Sequence, residues 1–430
     1  MLCLLAYAAG GGAMAADAVE PGLAQKLQQR IDALAPHSLT TIDLEAEGLT
    51  GTLDATLYVR GGRQVRLVNG TLLTDRGVVI TDGSHIELGA YAFVEGSITT
   101  GQYYNYEEHD GCPSLVYING GSLTVGADAT IRNTGKDRAR GHAADSNPRR
   151  SIAIPTFHCG VWLESAGDRF TLSGGSIDGD LWMSYVPSVA LVEGGEITGA
   201  VIGADRWGDM TTGPQTFRMT AGHVGAIHND AWWDFPGIIM MEGGTCPDVE
   251  AGGVLYVCGQ GAIDFLRVHA YDATVKLQGG TCRHISTCSD IYLAGTAEVD
   301  KIALYADDAE VRLTSPLNAP LHIGSMKKPG AVLLRGFNRL LDEHDKTLVQ
   351  AYTPSDMMPY VTDADWLYSL FIFYFECQKP TMLSDNAIVL ADTETTVSHP
   401  TTAQHPKPAT SYDLTGRRTG PHHRGPTVSR

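Results

Sequence analysis

Seven times between residues 65 and 284 the chain repeats one unit: an apolar strand-like run, a glycine corner, and a second run. The units are VRLVNGTLLT, VVITDGSHIEL, VYINGGSLTV, FTLSGGSIDG, VALVEGGEIT, IIMMEGGTCP and VKLQGGTCRH. Their apolar stretches alternate with polar residues or last only four to six positions, too short for helices and rich in Val, Ile and Leu. Glycine pairs begin at 120, 174, 194, 243 and 279. A unit this small cannot bury its own apolar side, so it must stack on its neighbours. The expectation is an all-β solenoid, with one coil for about every 25 residues.

Length does not argue against one long domain, because repeat proteins grow along an axis rather than by adding cores. The 430 residues are 43% hydrophobic, enough to bury a substantial interior. Ahead of the repeats, PGLAQKLQQRIDALA places Leu23, Leu27, Ile31 and Leu34 at helical spacing after a proline. A short helix there would cap the open end of the solenoid, where apolar core and unpaired strand groups would otherwise be bare.

The strand, Gly-Gly, strand coils such as FTLSGGSIDGD and VALVEGGEITG resemble bacterial surface proteins with right-handed, pectin-lyase-like parallel β-helices. The resemblance covers residues 40 to 325, and the segment 304 to 326 looks like the late coils of those proteins. It implies a right-handed parallel β-helix with a short N-terminal capping helix. At the other end, SYDLTGRRTGPHHRGPTVSR resembles a type IX secretion sorting segment, with Tyr412, Asp413, Leu414, Gly416, Arg417, Arg418 and Gly425 carrying the match. That likeness implies export to the outer cell surface.

The resulting division is a signal peptide over 1–16, a capping helix over 17–39, a β-helix over 40–391 that becomes less regular from about 327, and a linker with the sorting-like tail over 392–430. The start, MLCLLAYAAGGGAMAADA, has the short apolar stretch and small residues that signal peptidase needs. The late apolar run from Trp366 to Phe375 is only about half as long as the ~20 residues a membrane-spanning helix requires.

Charge excludes one class of partner. With 31 basic and 49 acidic residues the formal charge is −18, and residues 397–430 hold five Lys or Arg against Asp413 alone. The body is therefore more acidic still, which excludes a phosphate-tracking nucleic-acid surface.

The sharpest internal pattern is a triple Ile-x-x-Asp-x-Trp: Ile177, Asp180 and Trp182; Ile202, Asp205 and Trp207; Ile227, Asp230 and Trp232. Each member recurs at one constant spacing. If that spacing is one coil, equivalent residues stack about 4.8 Å apart, with isoleucines in a core ladder and Asp and Trp in two further ladders. Ionised carboxylates in such a row need a counter-charge or donors, so calcium is one candidate cofactor. Stacked indoles beside carboxylates equally suit a sugar, whose apolar face lies on an aromatic ring while its hydroxyls bond to acceptors. Trp233 would extend that surface. The structural alternative stands beside these: an Asp at a solenoid corner accepts a backbone N–H, and stacked aromatics fill the corner.

Two further features have the same two-sided character. Cys246 and Cys282 occupy the same place in two GGTC units, so they are disulfide candidates if their coils are neighbours, or else a ladder of free buried thiols. The segments GQYYNYEEHD, 101–110, and KDRARGHAADSNPRR, 136–150, are insertions between coils, either solvated or binding loops. The expectation for function is a non-enzymatic adhesin or glycan-binding protein with the Asp and Trp ladders as its recognition face. A glycoside hydrolase or lyase on the same scaffold, and a structural spacer, are the alternatives, because one fold hosts all three.

Overall fold

The computed structural model describes residues 21–98, 114–135, 159–183, 187–203, 215–229, 237–268, 273–306, 308–325, 330–351, 379–383, 386–391, 411–412 and 418–419. Among them the chain is a parallel β-helix. Each coil contributes a strand, or part of one, to each of three sheets, and the strands from Leu39–Asp43 to Val349–Ala351 pair in parallel with their counterparts in the neighbouring coils. The helix α1, Leu23–Asp32, precedes the first coil and α2, Glu343–Leu348, lies near the last.

The strand pattern explains the interior. Alternate residues of a strand point to opposite faces, so one set from every sheet faces the axis of the solenoid. In the first sheet Ile42, Leu67, Leu88, Val125 and Leu172 are successive partners. In the second, Val94, Ile131, Ile177, Ile197 and Val224 follow one another. In the third, Val161, Leu181, Val201, Ile227 and Val249 do so. All these side chains are buried in one continuous core, each contributing about 1.5–3 kcal/mol of transfer free energy.

Glycine pairs turn the chain from the first sheet to the second. Gly195 has φ +80°, and a Cβ built on it would lie 2.1 Å from the carbonyl oxygen of Gly175 one coil earlier. Gly244 has φ +78°, with its Cβ position 2.8 Å from the carbonyl oxygen of Gly222. Only glycine combines the left-handed conformation with so close an approach of neighbouring coils.

The coil length is not constant. Phe170, Ala190, Phe217, Ile239 and Leu255 are successive partners in the first sheet. The coil from Ala190 to Phe217 is much the longest of the four, and the coil from Ile239 to Leu255 the shortest. The expectation of a fixed period is therefore corrected. Strands are held in register by their hydrogen bonds, whereas the connections between sheets can absorb additional residues without disturbing it.

Among the described residues a helix lies at each end. Buried Ala24, Leu27 and Ile31 of α1 join the solenoid core, and Ala24 N donates to Asp54 Oδ1 at 3.0 Å. The amide of Gln28 completes the edge strand Leu57–Val59: its Nε2 donates to Tyr58 O and its Oε1 accepts from Tyr58 N, both at 2.9 Å. A side-chain amide thus stands in for the missing neighbouring strand. Parallel pairing continues to Val332–Gly336 and Val349–Ala351, past the boundary expected near 327, before Ala387–Ala391 pairs antiparallel with Val332–Gly336 and with Lys379–Leu383. Buried Asp345 of α2 caps its own helix and accepts from Leu317 N at 3.2 Å, with Arg339 Nη1 2.7 Å away.

In the tail, Ser411–Tyr412 and Arg418–Thr419 form a two-stranded antiparallel pair. The expected signal peptide, the insertions 101–110 and 136–150, and the run 366–375 lie outside the described residues. No helix among the described residues is long and apolar enough to cross a membrane.

Candidate functional site

The three isoleucines of the Ile-x-x-Asp-x-Trp pattern do not stack. Ile177 pairs with Ile197 in the second sheet, Ile227 pairs with Val201 in the third, and Ile202 pairs with Trp182 on one side and His228 on the other. A constant spacing laid over coils of unequal length slips the register, and each slip moves a residue to another column.

Asp180 is buried, and its Oδ1 accepts the backbone N–H of Ala200, one coil on, at 2.8 Å. It staples two coils at a corner. Trp182 is partly buried and stacks on Trp162 of the preceding coil, ring centroids 5.0 Å apart and planes inclined at 27°. Asp205, Trp207, Asp230, Trp232 and Trp233, the rest of the proposed ladder, lie outside the described residues. Cys246 and Cys282 are both free, buried thiols. The condition for bridging them is not met, because Ile263 of the intervening coil pairs with both.

Trp162 leads to a larger arrangement that a fixed period conceals. On the outward side of the third sheet, Tyr117, Trp162, Trp182, Ile202, His228, Glu250, Arg267 and Ser286 are successive partners. They alternate with core residues such as Leu181 and Val249, yet most of them are buried too. Tyr117, Cys159 and Trp162 form one apolar cluster with Val79 and Trp182, and Ala200, Ile202 and Ala226 form a second beside it. Trp162 Nε1 donates to Glu164 Oε2 at 2.8 Å.

Beyond Ile202 the column becomes ionisable. His228 Nδ1 lies 3.5 Å from Glu250 Oε2, and the two side chains are 4% and 6% exposed. Two positions earlier on the same strands runs a second outward column: Asp248, Phe265, His284 and Lys301. Arg267 crosses between the columns. Its Nη2 bonds to Asp248 Oδ2, and its guanidinium lies 5.6 Å from the centroid of the Phe265 ring, which in turn stacks on His284 at 6.4 Å. Burial holds the His284 imidazole below its usual pKa.

Several polar atoms in this patch are buried but have no hydrogen-bond partner among the described residues: His228 Nδ1 and Nε2, Asp248 Oδ1, and Arg267 Nε. Such an atom costs about 1–3 kcal/mol, so their concentration on one face marks a place where a polar ligand would be stabilising. No three His, Cys, Asp or Glu side chains among the described residues are grouped to hold a metal ion; Asp205 and Asp230, two of the three carboxylates behind the calcium expectation, lie outside them.

The corner glycines reveal these residues in the sequence. Counting from Gly222, Gly244, Gly261 and Gly280, the fourth and sixth positions onward are Ala226 and His228, Asp248 and Glu250, Phe265 and Arg267, and His284 and Ser286. The signal is present when coils are aligned on their corners and lost when they are aligned on a fixed period.

No protein-family model, curated protein or solved structure matches this chain.

Proposed function

We propose that this is an exported glycan-binding protein of the adhesin type, built on a pectin-lyase-like β-helix, which recognises carbohydrate on the outward face of its third sheet. The observation that carries the proposal is the continuity of one outward column, from the stacked Trp162 and Trp182 to the polar cluster at His228, Glu250 and Arg267. The partly exposed indole of Trp182, backed by Trp162, offers a surface for the apolar face of a sugar, and adjacent unsatisfied donors and acceptors suit its hydroxyls. Asp205, Trp207, Asp230, Trp232 and Trp233 join on sequence grounds, since they follow the strands Val189–Gly203 and His223–Asn229 within a few residues. Export rests on the apolar start and on the sorting-like tail around Tyr412 to Arg418.

Glycan-array binding that is lost in Trp182→Ala and in His228→Ala, with folding retained, is the expected result. Absence of binding to every glycan would overturn the reading.

One observation favours a second reading. Asp248 and Glu250 are two carboxylates two residues apart on one strand, with His228 beside Glu250. Paired carboxylates with a neighbouring imidazole are equipment for acid–base cleavage of a glycosidic bond. Release of reducing ends from a polysaccharide panel, abolished in Glu250→Gln, would establish an enzyme.

A further inference from the structure

Arg267 and Asp248 form one ion pair across two coils, but each keeps one atom out of it. Arg267 bonds through Nη2 to Asp248 Oδ2. Arg267 Nε and Asp248 Oδ1 remain buried, without a hydrogen-bond partner among the described residues. One is a donor and the other an acceptor, both belonging to the same ion pair.

We infer that the Asp248–Arg267 pair is the subsite for a vicinal diol of an uncharged pyranose. This rests on the glycan-binding reading above and adds the class of sugar. A hydroxyl is both donor and acceptor: one hydroxyl of the diol donates to Asp248 Oδ1, and its neighbour accepts from Arg267 Nε.

The charge balance points the same way. Asp248 and Glu250 oppose Arg267 and Lys301, so the carboxylates and the cations of the two columns balance. A uronate carboxylate needs a cation not already neutralised. Arg267 is committed to Asp248, and the body around it is acidic, with a formal charge of −18 for the whole chain. Placing a carboxylate there would leave it facing Asp248 and Glu250 at close range, which like charges disfavour.

Isothermal titration of the full chain tests this with neutral probes (cello-, manno- and xylohexaose) and acidic ones (hexagalacturonate and alginate hexamers), at low and at high NaCl. The expected result is binding of a neutral oligosaccharide with an affinity that changes less than about twofold between the two salts, because no net charge is neutralised. Asp248→Asn, close in shape and on a partly exposed side chain, should weaken the neutral probe roughly tenfold or more. It should also admit the acidic probe, through the released guanidinium. Arg267→Lys, which keeps the charge but loses the donor at Nε, should weaken the neutral probe as well. Salt-sensitive preference for the acidic hexamers by the unmodified protein would overturn the inference while leaving glycan binding intact. So would neutral binding unaffected by both substitutions when both variants melt like the parent. Binding of neither class would overturn the glycan reading and this inference together.

Discussion

Across two neighbouring coils, the imidazole of His228 and the carboxylate of Glu250 face each other at 3.5 Å, both almost wholly shielded from solvent. Removing one member of such a pair leaves the other buried alone, which costs more than the pair contributes. A double-mutant cycle with His228→Ala and Glu250→Ala in urea is expected to show a coupling of about 0.5–3 kcal/mol. Because Glu250 has further interactions, the Glu250 variant should be the more damaging of the two. Additive losses would mean that the side chains are adjacent without interacting.

Trp162 fills the outer face of the third sheet between Tyr117 and Trp182. Trp162→Ala should destabilise the protein by about 3–5 kcal/mol, the range for deleting a buried large aromatic side chain. Trp162→Phe should cost clearly less, since it keeps a ring against Trp182 and loses the bond from Nε1 to Glu164. Chemical denaturation of the two variants distinguishes stacking from hydrogen bonding as the main contribution.

Asp168 is fully buried, and its two oxygens accept four backbone N–H groups: Gly120 and Gly121 on Oδ1, Glu164 and Ser165 on Oδ2. Burial pushes its pKa up while those four donors pull it down. Asp168→Asn would turn an NH2 group towards two of the donors, leaving them unsatisfied. A loss of at least about 1–3 kcal/mol is expected from thermal or urea unfolding at neutral pH. An unchanged midpoint would show that the corner does not depend on this carboxylate.

At the Gly195 corner an added methyl group would lie 2.1 Å from Gly175 O. Gly195→Ala should cost more than the roughly 0.5–1 kcal/mol by which glycine and alanine ordinarily differ, because it adds backbone strain and a collision with Gly175 O. Gly167→Ala is the control. Its φ of +89° carries the same strain, with nothing within 4 Å of the added Cβ. Comparing the two unfolding midpoints separates the clash from the strain.

Cys246 is free, and burial raises its thiol pKa to about 12 from an ordinary value of 9.0; Cys282 is raised as well. Neither thiol should react with iodoacetamide in the native protein at pH 8, and reductant should leave the melting curve unchanged. The linkage has a definite sign. An unfolded thiol ionises from about pH 9 while the folded one keeps its proton, so stability should fall as pH rises from about 9 towards 12. The slope in that window should be shallower for Cys246→Val.

The coil unit itself could be read in the sequence because its causes are local. Glycine pairs set the corners, alternation in runs such as VKLQGG sets the strand faces, and Leu27 and Ile31 set the buried side of α1. None of these depends on what lies in the next coil.

Which residues meet was decided by the tertiary structure. Connections of different length make the successive coils that start at Phe170, Ala190, Phe217 and Ile239 unequal, so equal spacing along the chain does not become adjacency across it. That is why Ile177, Ile202 and Ile227 fall in three columns, why Ile263 separates Cys246 from Cys282, and why Trp182 lies on Trp162. Interstrand hydrogen bonds hold the strands in register and leave the loop lengths free. The outward patch of His228, Asp248, Glu250 and Arg267 exists only once that register has formed.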